Sequence, residues 1–277
     1  MRIIFSLFSL GALVYGLWWT SYNKPDWKNK VEDVLNIGHF HTLEIRYTAE
    51  QIMESQQKIL LKDAKHQYLE PSLKFYPYLL LEVKYSASDA KTKEGIILWD
   101  LTDGEMVVNA KDWDKTHGFA DCINANVDRR EFKIINAIAQ RGGVINREDL
   151  RKNIHVETDV IDALIETCRR KKLIVQYGGR YRLHLENPKL KITPSTLIEE
   201  RLVTQPYRQA ICISRRYSLS QIERITSSAF GEDFAIRKTA SVYLPVHCIV
   251  VQNPDGSLHT SHWNALNGKS LESNGIY

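Results

Sequence analysis

The first stretch of the chain is patterned for a membrane rather than for an amphipathic fold. No charged residue lies between Ile3 and Asn23, and Ile3 to Trp19 is almost continuously apolar. A bilayer core of roughly 30 Å is crossed by about 20 helical residues. Residues 1–23 are therefore predicted to form a transmembrane helix, with Trp18, Trp19 and Tyr22 as its interfacial aromatic anchor. A cleavable signal peptide would need small residues at its cleavage site, and Leu17-Trp18-Trp19-Thr20 offers none. Lys24, Lys28 and Lys30 follow the run, while only Arg2 and the terminal amine precede it, which favours a single-pass protein with a cytoplasmic body.

Beyond residue 30 the pattern repeats itself. Arg46-Tyr47-Thr48-Ala49-Glu50-Gln51-Ile52 returns as Arg216-Tyr217-Ser218-Leu219-Ser220-Gln221-Ile222. Tyr76-Pro77-Tyr78-Leu79 returns as Leu244-Pro245-Val246-His247, and Trp99-Asp100-Leu101-Thr102-Asp103-Gly104 as Trp263-Asn264-Ala265-Leu266-Asn267-Gly268. Three matches in the same order and at similar spacing indicate an internal duplication. Each copy starts with a short β-rich stretch (41–47; 210–217), then a Thr or Ser placed to cap an amphipathic helix. A strand beginning at Pro77 or Pro245 follows, where proline costs no interior ladder bond. Lys93-Glu94-Gly95 and Asn253-Pro254-Asp255-Gly256 are expected to turn the chain into a hairpin, closed by Asp103-Gly104 or Asn267-Gly268 as type I′ turns. Trp99 and Trp263, at matching positions, are expected in the core.

Between the copies the period becomes helical. Phe132, Ile135, Ile138 and Ala139 mark one helix, ended by Gly142-Gly143. Asn146 can cap a second over Arg147 to Ile154. Thr158 can cap a third, with Val160, Ile161, Leu164, Ile165 and Cys168 as its buried face. Leu173-Ile174-Val175, the turn Tyr177-Gly178-Gly179-Arg180, and Tyr181-Arg182-Leu183 form a hairpin. Three short helices followed by a hairpin resemble the winged helix-turn-helix family over about residues 128–186. The resemblance implies a third helix that docks in the major groove and a wing that touches phosphate. This chain departs from that pattern: the exposed early positions of the third helix are Glu157, Asp159, Asp162 and Glu166, which would face a polyanion. Arg169, Arg170, Lys171 and Lys172, with Arg180 and Arg182 in the wing, form a possible phosphate-binding set, or a solvated helix end that complements the helix dipole. The acidic helix suits protein docking better than DNA reading.

Composition changes this picture little. The chain has 277 residues with 43% hydrophobic and 25% charged content, enough for a buried core. A net charge of +4 permits a phosphate or acidic partner without requiring one. Cys122, Cys168, Cys212 and Cys248 form no CxxC pair, which excludes a zinc ribbon and fits reduced thiols.

Candidate chemistry is sparse. Leu79-Leu80-Leu81-Glu82-Val83-Lys84 resembles the strand-borne E-x-K of metal-dependent nucleases, with Asp63 or Glu70 as a further acidic ligand. The second copy reads Val250-Val251-Gln252-Asn253 at that place, and an i, i+2 pair on a strand is ordinary solvated surface. His39 with His41, and His259 with His262, lack a matching cysteine or carboxylate for zinc. No phosphate-cradling glycine loop or nucleophile elbow is present.

The fold class expected is α+β: a membrane helix (1–23), a first α+β unit (31–126), a winged-helix domain (127–190) and a second α+β unit (200–277). The function expected is non-enzymatic: a membrane-anchored adaptor that docks another protein or complex, with no cofactor, metal or small-molecule substrate. A membrane-tethered winged-helix DNA-binding regulator is the alternative, and a Glu82-x-Lys84 nuclease a third.

Overall fold

The computed structural model describes residues 38–86, 91–154, 158–199 and 201–271. The expected transmembrane helix, with Trp18, Trp19 and Tyr22, lies outside the described residues. Among those described, no helix is long and apolar enough to cross a membrane. The first segment supplies β1 (His39–Leu43), α1 (Ala49–Ser55), α2 (Gln57–Leu60), β2 (Gln67–Tyr68), β3 (Ser72–Ser86), β4 (Thr92–Asp100), β5 (Met106–Asn109) and β6 (Asp114–Lys115). The middle supplies α3 (Phe119–Asn124), α4 (Arg129–Gln140), β7 (Val144–Asn146), α5 (Arg147–Ile154), α6 (Thr158–Arg170), β8 (Ile174–Tyr177) and β9 (Arg180–Leu183). The last segment supplies β10 (Leu202–Pro206), β11 (Ile211–Cys212), α7 (Leu219–Phe230), β12 (Ala235–Gln252) and β13 (Leu258–Asn264). The architecture is α+β.

A ten-stranded sheet runs β10-β1-β12-β3-β4-β5-β6, with β11 also on β3, and β13 and β2 also on β12. The first and last segments therefore build one sheet together. β3 and β12 lie antiparallel at its centre, and Tyr76 faces Leu244 across the pair. The residues matched in sequence thus meet each other, and bonds on one side of this step recur on the other. Thr42 pairs with Tyr243 as Cys212 pairs with Phe75, both in parallel. The amides of Arg46 and Tyr47 donate to the Ala265 carbonyl, and those of Arg216 and Tyr217 donate to the Leu101 carbonyl.

Pro77 and Pro245 sit inside β3 and β12, not at their starts as the sequence suggested. The geometry explains why both are tolerated. On the side away from β12, Phe75 pairs with β11 and Tyr78 with β4, so Pro77 falls at the handover between neighbours. Its carbonyl points to that side and accepts from Leu101 N. Pro245 lies likewise between Tyr243, which pairs with β1, and Val246, which pairs with β13. A missing N–H there removes no ladder bond.

Two further expectations are corrected. Lys93-Glu94-Gly95 is not a turn; all three lie in β4, opposite Tyr85, Lys84 and Val83. Three exposed polar residues in a row, Thr92, Lys93 and Glu94, followed by a glycine look like a loop in sequence. The turns at Asp103-Gly104 and Asn267-Gly268 are not type I′, which needs a positive φ at both residues. Only Gly104 (φ 82°) and Gly268 (φ 69°) are left-handed. Each instead closes a wider turn in which the glycine N–H donates to the Asp100 or Asn264 carbonyl.

The helices are exchanged between segments. Ile222 and Ile225 of α7 join Leu79, Leu81 and Trp99 of the first segment in one core. Ile52 and Leu60 of α1 and α2 join Ile249, Val251 and Trp263 of the last. Both tryptophans are buried, Trp99 at 0% and Trp263 at 6% exposure. The first of these cores continues through Phe119 and Phe132 into Ile138, Ile161 and Leu173, so the middle segment rests on the same face that α7 covers.

Candidate docking surface

The middle module is pinned at its entry. Asp128 caps α4, its carboxylate accepting from Glu131 N while Glu131 accepts from Asp128 N. Glu131 is only 2% exposed, and its Oε2 also receives Lys171 Nζ at 2.7 Å; the same ammonium donates to the Asn126 carbonyl at 2.8 Å. Lys171, one of the expected phosphate contacts, thus ties the end of α6 to the start of α4. Gly142 and Gly143 are both left-handed and close α4 through bonds to the Ala139 and Ile138 carbonyls. Asn146 caps α5 by accepting from Asp149 N at 2.8 Å.

Helix α6 buries Ile161, Ile165 and Cys168, with Leu164 packed beside them. Burial pushes the Cys168 thiol up to about 12, so it is an inert core group. Val160, expected on this face, is 40% exposed. One residue is about 100° of helical turn, enough to carry a side chain adjacent to Ile161 out of the buried stripe. The exposed side of α6 therefore shows Val160 and Ala163 among carboxylates. Asp162 receives a two-pronged contact from Arg147 of α5, from Nε at 2.7 Å and Nη2 at 2.5 Å. These bonds and the guanidinium charge hold its carboxyl below the ordinary range. Glu166 pairs with Arg169 at 3.0 Å. Asp159 lies in the first turn, and Glu157 lies outside the described residues. Arg170 donates to Thr167 Oγ1, and Lys172 adopts a left-handed φ of 57° where α6 ends. Of the expected phosphate set, Lys171 and Arg169 are engaged within the module, and Arg180 and Arg182 are exposed on β9.

Sequence reading missed a buried ion cluster. Lys115 of β6 reaches Asp100 Oδ2 at 2.5 Å and Asp103 Oδ2 at 2.7 Å. Asp100 Oδ1 accepts from Thr102 N and Thr102 Oγ1, and Lys115 lies over the Tyr78 ring. Trp113 Nε1 donates to Tyr78 OH at 3.2 Å. Burial, then the Asp100 charge, raises the Asp103 carboxyl to about 7. Burial opposes ionisation of Asp100 too, but Lys115 holds it below its ordinary value. Beside them the buried Glu105 accepts from Thr116 Oγ1 and from the amides of Gly118, Phe119 and Ala120, capping α3. With every cluster side chain near 10% exposure or below, the arrangement fixes a turn. The Asp-x-Thr-Asp-Gly run was the only sequence signal for it.

The other candidates stay apart. Glu82 pairs with Lys238 at 3.3 Å, Lys84 lies opposite Glu94, and Asp63 bonds His66. His41 approaches Thr204 Oγ1, and His262 lies across the strands from Cys248, Nε2 to Sγ 3.9 Å. Among the described residues no three His, Cys, Asp or Glu side chains converge as a metal site. All four cysteines are free thiols. No family model, curated protein or solved structure matches the chain, so the site is read from its own residues.

Proposed function

We propose that this protein is a non-enzymatic, membrane-anchored adaptor that docks a protein partner through a winged helix carried by two duplicated α+β units. The order α4-β7-α5-α6-β8-β9 and the β7-β9-β8 sheet support the winged-helix reading. The mirrored bonds on either side of Tyr76 and Leu244 support duplication. The apolar run from Ile3 to Trp19 supports the tether, with the body on the lysine-rich, cytoplasmic side.

The exposed side of α6 carries the functional reading. Val160 and Ala163 give it an apolar centre, Asp162 (bonded by Arg147) and Glu166 (bonded by Arg169) give it carboxylates, and the cations of the helix itself are Arg169 and Arg170 in the last turn. A helix entering a major groove meets phosphate on both flanks, and these carboxylates would be repelled there. A protein partner rewards an apolar centre with a charged rim. The test is retention of a mixed-sequence duplex pool by the full chain in mild detergent at moderate salt, alongside capture of protein from lysate. Protein capture lost on Val160→Glu, with no salt-resistant DNA retention, is the expected result. Salt-resistant binding to a defined duplex would instead establish the DNA-binding regulator.

A further inference from the structure

The small β7-β9-β8 sheet has a second face that α6 does not use. Val144, Arg182 and Val175 stand directly opposite one another across its three strands, and Asn146, Arg180 and Tyr177 form the next rung. Directly opposed residues project from the same face of a sheet. Exposure agrees: Ile145, Tyr181 and Ile174 turn inward and are buried, whereas Val144 is 44% and Tyr177 81% exposed. The outer face is thus a central strand of two exposed arginines, framed by two valines and a tyrosine. It carries no carboxylate of its own, and at its end the Asp149 carboxylate accepts from the Asn146 side-chain amide at 2.9 Å. Among the described residues neither the Arg180 nor the Arg182 guanidinium has a hydrogen-bond or ion-pair partner.

We propose that this outer face docks an extended acidic segment of a partner protein. Residues two apart on a strand lie about 7 Å apart on the same face. Carboxylates at alternate positions of an extended peptide have the same repeat, so two of them can meet Arg180 and Arg182 together. Each guanidinium can then offer a forked pair of N–H donors to its carboxylate. Tyr177, which stands beside Arg180 in the same rung at the hairpin tip, offers its ring to an apolar side chain that follows the second carboxylate. Charge complementarity requires an anionic occupant, and the flanking valines select a peptide over a nucleic acid. A nucleic-acid strand presents phosphate at every step and draws its affinity from many cations, and this face has two.

This docking face is separate from the exposed side of α6, and it stands or falls apart from the reading given above. The test is fluorescence anisotropy with the full chain in mild detergent at physiological salt. The probes are a short labelled peptide with glutamate at every second position and leucine or tyrosine beyond them, its scrambled counterpart with the glutamates in one block, and mixed-sequence single-stranded DNA. The alternating peptide is expected to bind best. Arg180→Ala with Arg182→Ala should weaken it by about tenfold or more. Lysine at both positions should recover only part of the loss, since charge returns but the fork does not. Val160→Glu should leave binding unchanged. All the arginine variants alter exposed positions, and circular dichroism checks that they fold. Failure of the alternating peptide to bind, equal binding of the scrambled one, indifference to the arginine substitutions, or tighter binding of the DNA would each overturn the proposal.

Discussion

Lys115 serves two carboxylates with one charge, and pH should expose that imbalance. The Asp103 carboxyl is raised to about 7 from its ordinary 3.8 by burial and by its neighbour Asp100. A proton held in the fold but released by the unfolded chain near pH 4 stabilises the fold at low pH. That contribution is fully present below about 4 and is lost as pH rises through about 7. Asp103→Asn removes the titration. Its melting temperature relative to the natural chain should therefore climb between about pH 4 and about pH 7, a trend thermal scans across that range would reveal. A flat difference would remove Asp103 from this role. Asp100→Asn should cost about 3–5 kcal/mol, because it strips Lys115 of its closer partner inside the fold. Beyond the Asp100-to-Gly104 run, the cluster was not legible in sequence, because Lys115 and Tyr78 reach the turn only through sheet pairing. The helix caps were legible. Thr48 and Ser218 each precede a glutamine three residues on, and both close as reciprocal capping boxes. Val160 was misplaced because a helix of 13 residues with apolar side chains at 160, 161, 164 and 165 leaves the edge of its buried stripe undetermined.

Helices α1 and α7 share a cap and a first turn, then diverge according to what covers them. Ile225 and Thr226 of α7 are buried beneath the middle module, which α3 and α4 bring against that helix. The corresponding positions of the first segment are Ser55 and Gln56, and there α1 breaks into the short α2. Ser218→Ala should cost about 1 kcal/mol, as loss of a helix cap does. Ile222→Ala should cost about 2–5 kcal/mol by opening a cavity in the core it shares with Trp99. Denaturant unfolding measures both, and an Ile222→Ala loss no larger than the cap loss would contradict the packing described. The strands show how far pattern alone reaches. Strands were expected to begin at Pro77 and Pro245, but β3 begins at Ser72 and β12 at Ala235. A proline mid-strand reads as a start until its neighbours are known, and no single chain segment reveals that two strands change partners beside it.

The exchange of helices makes the first and last segments one folding unit, with the middle module held between them. The sequence matches between these segments led to an expectation of two separate flanking units, whereas their strands share one sheet. Intersegment pairing between β3 and β12 cannot be seen from similarity alone. Residues 38–126 produced alone should lack the cover that α7 gives Trp99, and should show little cooperative unfolding by circular dichroism. A chain nicked within residues 184–199 should keep its pieces together on size exclusion, since the exchanged core still joins them. Separation of the pieces under native conditions would argue for two independent units. What α6 meets is tested most directly by a photo-reactive amino acid placed at position 160 of the full chain and activated in cells. The expected product is a discrete covalent adduct with protein, abolished by Ala163→Glu on the same exposed side. An adduct with DNA that withstands protease and is lost to nuclease would contradict the docking function proposed for this chain.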